Sequence, residues 1–346
     1  MMKKRVIDPA ALAAFKEDKP RFAKMPTLEI WLTDWLQRIV RPTCKASTAA
    51  NYTSYIHKHI LPILGDYLLD ELEPAMIQYF IQYQLQYGRT DNPGPLSVKT
   101  VQEYRNMLHL ALQKAVEEGY LQTNPCQNVR VQRDDCKEIR TLKVSEQEEL
   151  TKDIDTTWKP SSNIPILLGM FGGMRIGEIA GLQIKDIDLK ERLIHIERSL
   201  NRFSKQGKCP LSYSTTKNGK NRIVPMNEDL YKALSHYFET MPEEYKKADA
   251  PLFITSRGNV MEPRMISYHF HRLMKQHHLE DLHFHCLRHT FATRALEANM
   301  NIKVCSKILG HASTQITADI YTHVTTFQME KEIQKMNMAN LQQVYA

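Results

Sequence analysis

The densest group of polar side chains in this sequence is the segment His285-Cys-Leu-Arg-His-Thr. His285 and Arg288 are three residues apart, so on a helix they share one face and could bind the same anion. His289 follows His285 by four residues, a spacing that also suits zinc, but the metalloprotease pattern needs glutamate where this sequence has Cys286. We therefore predict an anion site and no metal site, although an isolated pair of this kind is often an exposed basic helix end.

Two further segments carry groups that hold or transfer charge. Arg175 stands among glycines in Gly172-Gly-Met-Arg-Ile-Gly, and Glu178, three residues later, can pair with it. The glycine spacing fits neither a dinucleotide-binding loop nor a phosphate-binding loop. Lys217 precedes Asn-Gly, which is typical of a hairpin turn, and from such a turn a lysine can enter a groove or donate a proton. Each segment alone is equally compatible with an ordinary solvent-exposed surface.

A histidine and a tyrosine follow toward the end of the chain. His311 comes directly after Gly310, which is predicted to end a helix in the left-handed conformation. Tyr321 lies ten residues further on, in a predicted helix. A phenol with its ordinary pKa of about 10 is a poor nucleophile at neutral pH, so Tyr321 needs neighbouring cations or a base to react. Most tyrosines at helical spacing are packing residues.

Composition restricts the classes of protein to which the chain can belong. Its 346 residues exceed what one hydrophobic core usually serves, which favours two domains. With 42% hydrophobic and 25% charged residues, it is neither collagen-like nor disordered, and no apolar run is long enough for a membrane span. Its six cysteines form no C-x-x-C pair, so we expect free thiols in a soluble, cytoplasmic protein.

The net charge of +7 is unevenly distributed. Residues 1–26 contain seven Lys and Arg against three Asp and Glu, and residues 161–346 contain 24 against 18. A basic arm and a basic C-terminal half suit nucleic acid or another phosphate-rich surface. Charge alone would fit a solvated basic face equally well.

Residues 27–130 are predicted to be all-helical. Apolar residues recur there at spacings of three and four, first in the stripe Leu28, Trp31, Leu32, Trp35 and Leu36. The predicted helices cover 27–36, 47–60, a segment that opens at Pro74, and 97–119. Pro62 is expected to end the second of them.

A boundary is predicted at residues 131–144, which are polar and aperiodic. Ser145 and Glu148 then have the spacing of a capping box, which predicts a helix start. The region beyond is predicted to be mixed. Helices are expected at 145–155 and 163–182, strands at 184–189, 193–196 and 222–225, and mostly helices after 227.

Taken in order, these segments resemble the tyrosine recombinase (phage integrase) family. The matching motifs are R-x-G-E at 175–178, T-K-x-x-x-x-R-x-V-P at 216–225, H-x-L-R-H-T-F-A-T at 285–293, L-G-H at 309–311 and T-x-x-x-Y-x-H at 317–323. Any one motif is weak, but five in this order are specific. The sequence is most similar to integrases of conjugative transposons and temperate phages of low-GC bacteria.

The resemblance implies a mainly α fold with a small antiparallel β-sheet in the second domain, and two domains that clamp DNA. We expect a basic N-terminal arm or remnant linker at 1–26, a helical core-binding (SAM-like) domain at 27–130, a linker at 131–144, and a tyrosine recombinase catalytic domain with a C-terminal helix at 145–346. Many integrases of this subgroup carry an arm-type DNA-binding domain before the core-binding domain. With 26 residues there, we expect a naturally short form or a chain that starts late.

The resemblance also implies catalytic roles. Arg175 and Arg288 would hold the non-bridging oxygens of the scissile phosphate, while His285 and His311 would add donors and shuttle the tyrosine proton. Glu178 would position the region of Arg175. No metal and no other cofactor is expected.

The nucleophile and the general acid are implied in the same way. Tyr321 would attack phosphorus and form a 3′-phosphotyrosyl bond, and Lys217 would protonate the departing 5′-oxygen. The function implied is a site-specific DNA recombinase that integrates or excises a mobile element through a Holliday junction. Two alternatives stay open: a type IB topoisomerase-like enzyme, and a catalytically silent DNA-binding accessory protein.

Double-stranded DNA attachment sites are the expected partner, bound by a homotetramer. Candidate DNA contacts are Lys45, Ser47, Thr48, Lys99 and Arg105 in the first domain and Arg202, Lys205, Lys220 and Arg222 in the second. Residues 327–336 are predicted to form a helix that docks on a neighbouring protomer. An excisionase or other directionality factor and a DNA-bending host protein are further expected partners, and the protein would be nucleoid-associated when bound.

Overall fold

The computed structural model describes residues 22, 24–92, 94–132, 140–157, 159–202, 211–215, 221–255 and 257–320. The chain divides into two compact units, one of Met1–Cys136 with Phe203–Lys208 and the other of Lys137–Arg202 with Cys209–Ala346. Helices dominate both units, and the described strands all lie in the second. None of the described helices is long and apolar enough to cross a membrane.

The first unit consists of helices joined by short turns. They are α1 (Leu28–Trp35), α2 (Arg41–Thr43), α3 (Ala46–Tyr55), α4 (Leu61–Leu64), α5 (Pro74–Tyr87) and α6 (Val98–Glu117), with π-helical segments at Leu36–Val40 and Ile56–Ile60 and a 3₁₀ turn at Leu69–Glu71. The predicted apolar stripe of α1 is confirmed. Leu28, Trp31 and Leu32 are fully buried, and the Trp31 indole donates a hydrogen bond to the Ala111 carbonyl at 3.0 Å.

The prediction that Pro62 ends its helix is wrong, because α3 continues through Ile56–Ile60 into α4. In that π-helical segment the Leu61 amide donates to the Ile56 carbonyl, five residues back. The wider turn shifts the hydrogen-bond register, so a proline just after it neither breaks a needed hydrogen bond nor crowds the preceding turn. Pro42 follows the π-helical segment Leu36–Val40 in the same way. The first helix therefore continues to Thr43, beyond its predicted end.

The second unit combines helices with two small sheets. Its elements are α7 (Val144–Thr157), α8 (Pro160–Gly172), α9 (Ile176–Ala180), β1 (Ile187–Asp188), β2 (Leu193–Ile196), β3 (Arg198–Arg202), β4 (Leu211–Thr215), β5 (Arg222–Pro225), α10 (Glu228–Thr240), α11 (Pro263–Gln276), α12 (His285–Glu297), α13 (Ile302–Leu309) and α14 (Thr314–Ile320), with 3₁₀ turns at Ile184–Asp186 and Glu243–Tyr245. Strand β2 pairs antiparallel with β1 and β5, and β3 pairs antiparallel with β4. The predicted fold class, mainly helical with small antiparallel β-structure, is confirmed.

Several local predictions for this unit need correction. The strand expected at 184–189 is a 3₁₀ turn followed by two strand residues, and the polar strands β3 and β4 were not predicted. The Asn-Gly turn expected to close a hairpin lies outside the described residues, and the flanking strands β4 and β5 pair with β3 and β2. The predicted capping box is also wrong. Helix α7 begins at Val144, and it is the Glu146 carboxylate that accepts from the Lys143 amide, at 2.8 Å.

Close packing of α8 against α12 fixes the centre of this unit. At Gly169 in α8, a Cβ atom would lie 3.1 Å from Leu287 Cδ1 and 3.2 Å from the Phe284 ring. The glycine therefore allows α12 to approach closely. This contact brings the first turn of α12 beside the C-terminal half of α8.

Candidate active site

A break between two helices positions Arg175. The single helix predicted over 163–182 is instead α8 and α9, because Gly173 adopts a left-handed conformation with φ +59°. A Cβ atom at Gly173 would lie 2.7 Å from both Leu309 and Phe291, so only glycine fits this turn. Arg175 then occupies the N-cap position of α9 with extended backbone angles, and its side chain is partly buried.

Glu178 is the centre of an ion-pair network. Its buried carboxylate accepts hydrogen bonds from the Arg175 amide at 2.9 Å and from Arg175 Nη1 at 3.0 Å. Arg222 adds two bonds, from Nη1 at 2.8 Å and Nη2 at 2.7 Å. Burial alone would raise the pKa of Glu178, but the hydrogen bonds and charge of Arg222, helped by Arg175, outweigh it and lower the pKa to about 2. The carboxylate is therefore ionised at neutral pH.

Arg222 ties this network to the turn that carries His311. Its Nε donates to the Ile308 carbonyl at 2.7 Å, and a Cβ atom at Gly310 would lie 3.0 Å from its Cδ. The side chain is only 8% exposed. Its guanidinium donates to the Ile308 carbonyl and to the Glu178 carboxylate, so its Nε, Nη1 and Nη2 atoms all bind protein acceptors. The expectation that Arg222 contacts DNA is therefore replaced by an internal role.

The same turn contacts Arg175. The Gly310 carbonyl accepts from Arg175 Nη2 at 3.3 Å, and Gly310 has the predicted left-handed conformation, with φ +67°. The His311 amide donates to the Ser306 carbonyl at 3.1 Å, which closes the end of α13. Two arginines thus hold the segment that presents the His311 imidazole.

Arg288 is a buried cation without a matching anion. Arg288 is only 1% exposed, and its Nη1 atom donates to the Gly173 carbonyl at 2.7 Å. Nη2 is buried and has no hydrogen-bond partner among the described residues. Burial, then the charge of Arg175, lowers the pKa of Arg288 to about 9. A buried guanidinium with an unused donor is well suited to bind an anion.

Three imidazoles lie near these arginines. His285 and His289 have ring centres 4.7 Å apart, and the buried Nδ1 atom of His289 has no partner among the described residues. His311 Nδ1 lies 2.8 Å from the Thr317 hydroxyl. Burial of each ring, then neighbouring cations and imidazoles, lowers the pKa of all three histidines to about 4. They are neutral at pH 7, and an added anion would favour their protonation.

The structure thus brings together most of the predicted catalytic residues. Arg288 lies close enough to Arg175, Glu178 and Arg222 for charge coupling, and His311 to both Arg175 and Arg288. Four predicted site residues lie outside the described part of the chain: Lys205, Lys217, Lys220 and Tyr321. No group of three or more His, Cys, Asp or Glu among the described residues could hold a metal ion.

The predicted DNA contacts differ in their surroundings. In the first unit, Lys45 occupies the N-cap position of α3, Ser47 and Thr48 lie in its first turn, and Lys99 is exposed at the start of α6. Arg105 instead donates to the backbone carbonyls of Val129 at 3.1 Å and Cys126 at 2.8 Å, so it braces the unit internally.

In the second unit, Arg202 forms a bidentate pair with Glu262, at 2.6 and 2.5 Å. Sequence reasoning missed the internal contacts of Arg105 and Arg222, and it assigned no role to His289 or Thr317. The sequence did contain one sign that these residues belong to the site, because Arg222, His289 and Thr317 all lie inside the quoted motifs.

Comparison with known proteins identifies the family. Residues 140–327 match the phage integrase family, and residues 27–85 match the N-terminal SAM-like domain of phage integrases. The chain therefore belongs to the phage integrase family, and the prediction of a tyrosine recombinase is confirmed.

Relatives of known name agree with this placement. A tyrosine recombinase XerC-like protein of Caldanaerobacter subterraneus subsp. tengcongensis is 28% identical over 330 residues, which cover 90% of this chain and 83% of the relative. The transposase from transposon Tn916 of Enterococcus faecalis is 27% identical over 263 residues, or 71% of this chain and 63% of the relative.

Solved structures share the fold. The Tn1549 transposon integrase in complex with transposon right end DNA has a TM-score of 0.76 at 23% identity, covering 90% of this chain and 99% of that chain. A lambda integrase tetramer bound to a Holliday junction has a TM-score of 0.65 at 17% identity, covering 94% and 86%.

Proposed function

We propose that this chain is an integrase that cuts and rejoins double-stranded DNA at specific sites through a covalent tyrosine intermediate. The observation that carries the proposal is the unpartnered, buried Nη2 of Arg288, which lies in the field of Arg175 and beside three neutral imidazoles. Such a site is suited to an anion. A phosphodiester supplies one whose two non-bridging oxygens suit the planar donors of two arginines.

The proposed reaction is a transesterification at phosphorus. The Tyr321 oxygen attacks, the bond from phosphorus to the 5′-oxygen breaks, and the phosphate stays on the 3′ side as a phosphotyrosyl diester. A neutral His285 accepts the phenol proton, and Lys217 donates a proton to the departing 5′-oxygen. One diester replaces another, so a 5′-hydroxyl from a second strand can reverse the step without a nucleotide cofactor.

The arginines contribute to this step by preorganisation. Charge builds on the non-bridging oxygens in the transition state, and donors already fixed there stabilise it without rearrangement. Glu178, Arg222 and the Gly310 carbonyl hold Arg175 in place, and the Gly173 carbonyl holds Arg288. Their fixed geometry is consistent with a site that acts mainly through electrostatics.

Duplex binding is proposed to use both units. In the second unit, the exposed face of α11 carries a run of basic and aromatic side chains that no sequence motif indicated: Arg264, Tyr268, His271, Arg272 and Lys275. Side chains of this kind can contact both phosphates and base edges. In the first unit, Lys45, Ser47, Thr48 and Lys99 keep their proposed role as phosphate contacts.

We further infer assembly as a homotetramer on two DNA sites, with strand exchange through a Holliday junction. The lambda integrase tetramer bound to such a junction is the basis for this proposal. Residues 327–336 are proposed to dock on a neighbouring protomer. An excisionase or other directionality factor and a DNA-bending host protein would set the direction, and the natural task would be integration or excision of a mobile element.

The experiment that tests this function pairs two DNA molecules. A supercoiled plasmid carrying the DNA that flanks this protein's own gene is incubated with a labelled linear duplex of the same sequence. An integrase joins the two molecules, whereas a topoisomerase-like enzyme changes only the linking number of the plasmid. An accessory protein binds without cutting. Joined product that depends on Tyr321 supports the proposal, and relaxation or binding without joining contradicts it.

A further inference from the structure

Thr317 makes a contact that the proposed reaction has not used. It lies in α14, is fully buried, and its Oγ1 is 2.8 Å from His311 Nδ1. Hydroxyl and imidazole belong to different elements, because His311 follows the left-handed Gly310 that ends α13. The bond therefore links α14 to the turn that Arg175 and Arg222 hold.

Counting protons assigns the direction of this hydrogen bond. The Thr317 hydroxyl has one proton and, among the described residues, no other partner than His311. If Nδ1 carried a proton and donated it, the buried hydroxyl proton would have no acceptor among the described residues. Buried donors nearly always find an acceptor, so the hydroxyl donates to Nδ1. A neutral imidazole whose Nδ1 accepts must carry its proton on Nε2.

We propose that Thr317 is a positioning residue that holds His311 in its Nε2-protonated tautomer. His311 is then a hydrogen-bond donor to the ligand and has no free lone pair with which to accept the tyrosine proton. The inference rests on the proposed function, and it separates the roles of two histidines that the sequence left equivalent. His285 alone of the pair remains available as the proton acceptor.

The charges around His311 support this assignment. After burial, the groups that most lower the pKa of His311 are the cations Arg288 and Arg175, followed by the imidazoles of His289 and His285. Burial and these cations keep the ring neutral at pH 7, with a pKa of about 4. Only a neutral imidazole has a tautomer to choose, so the hydroxyl of Thr317 decides which nitrogen donates.

The direct test is the nitrogen NMR spectrum of the full-length protein with ¹⁵N-labelled histidine. The protein has 14 histidines, so the signals that disappear in His311→Asn identify this ring. We expect the shift of a protonated nitrogen at Nε2 and of an unprotonated nitrogen at Nδ1. The reverse pattern in the wild-type protein overturns the proposal, whatever the variants do.

Two variants of Thr317 test the consequence for the reaction. Thr317→Val removes the hydroxyl at nearly constant shape, and Thr317→Ser retains it. We expect Thr317→Val to lose the fixed tautomer and to slow formation of the DNA–protein adduct about tenfold, the factor of one net hydrogen bond. Thr317→Ser should keep the wild-type spectrum and remain within about twofold in rate.

Equal slowing by both variants, with the tautomer unchanged, would mean that Thr317 acts only through packing and would overturn the inference. Failure of the proposed function looks different. In that case the wild-type protein forms no adduct at Tyr321, while the histidine spectrum still reports the tautomer.

Discussion

Arg288 is a buried cation whose hydrogen-bonding capacity the described residues do not fully satisfy. Its charge is buried, it has one described hydrogen bond, to Gly173, and its Nη2 atom is unpartnered. An uncompensated buried charge destabilises a folded protein. We therefore interpret Arg288 as a residue kept for anion binding, because a neutral side chain would pack there more favourably.

This interpretation predicts that Arg288→Met stabilises the ligand-free protein. Removing the buried charge should gain more than the lost bond to Gly173 costs, for a net rise in the free energy of unfolding of about 1–2 kcal/mol. Urea denaturation of both proteins measures this difference in the free energy of unfolding. Arg294→Met, on the same helix, is the control: Arg294 also has a buried Nε without a described partner, but it binds the Leu142 carbonyl and pairs with Glu297, so its loss should destabilise. A loss of stability in Arg288→Met would contradict the account.

The three neutral histidines predict how stability depends on pH. Their pKa values of about 4 lie below the ordinary value of about 6.5, so between these limits the unfolded chain binds protons that the folded protein does not. Stability should fall as the pH drops from about 6.5 toward 4. Glu178, with a pKa of about 2, adds a further loss below about pH 4.5.

The urea midpoint, measured in steps between about pH 7 and pH 4.5, checks this dependence. His311→Gln should flatten the slope, because one of the titrating groups is removed. Added sulfate should stabilise the protein more at the acid end, since it favours the charged imidazoles. A midpoint that does not change over this range would contradict the neutral state of the histidines.

At the scale of elements, the network of Glu178 joins α9, β5 and the turn after α13. Arg222 contributes the bonds that cross between them. If Arg222 is lost, Glu178 stays buried with only Arg175 to compensate it, and breaking a buried pair in this way costs about 3–5 kcal/mol.

Arg222→Met should therefore lower the free energy of unfolding by about 3–5 kcal/mol. A double variant that also carries Glu178→Met should recover much of this loss, because the buried carboxylate that has lost Arg222 is removed as well. The control is Arg192→Met: Arg192 pairs with Glu228 at 2.7 Å on the surface, so its effect should stay below about 1 kcal/mol. Similar effects of Arg222→Met and Arg192→Met in chemical denaturation would contradict the network.

Elements with a strong local signal were predictable from the sequence. The apolar stripe of α1, the Ser97 cap of α6 and proline at the start of α5 all follow from side-chain spacing and backbone chemistry. Elements set by tertiary contacts were not. The π-helical segment before Pro62 and the left-handed turn at Gly173 depend on hydrogen-bond register and packing, which periodicity does not encode.

The candidate site was predictable in its members but only partly in their roles. The motifs identified Arg175, Arg288 and His311, because these residues stand in segments that resemble those of the family in type and order. Whether an arginine faces solvent or a buried carboxylate is decided by the fold, so Arg222 was expected on DNA and lies on Glu178. The contact of Thr317 with His311 could not be predicted for the same reason, because the sequence does not show which group a threonine hydroxyl will bind.

At the scale of the whole molecule, we expect particular cations to contribute to duplex binding. Affinity should fall steeply with salt, because phosphate contacts release counterions. Lys99→Ala and Arg272→Ala should each reduce the slope of log affinity against log salt by about 1. Arg105→Met should leave the slope unchanged, since its guanidinium binds backbone carbonyls. Fluorescence anisotropy over a salt series checks this, and an effect of Arg105 equal to that of Lys99 would contradict it.

We propose above all that Tyr321 becomes covalently joined to DNA without a metal ion. The most direct measurement incubates the protein with a nicked duplex from its own flanking DNA in EDTA, stops the reaction with detergent, and identifies the modified peptide by mass spectrometry. We predict a peptide in which a phosphodiester joins Tyr321 to the 3′ end of the cut strand, absent from Tyr321→Phe and retained in Tyr245→Phe, which alters an exposed tyrosine. An adduct that persists in Tyr321→Phe, or DNA that binds but forms no adduct, would contradict the account.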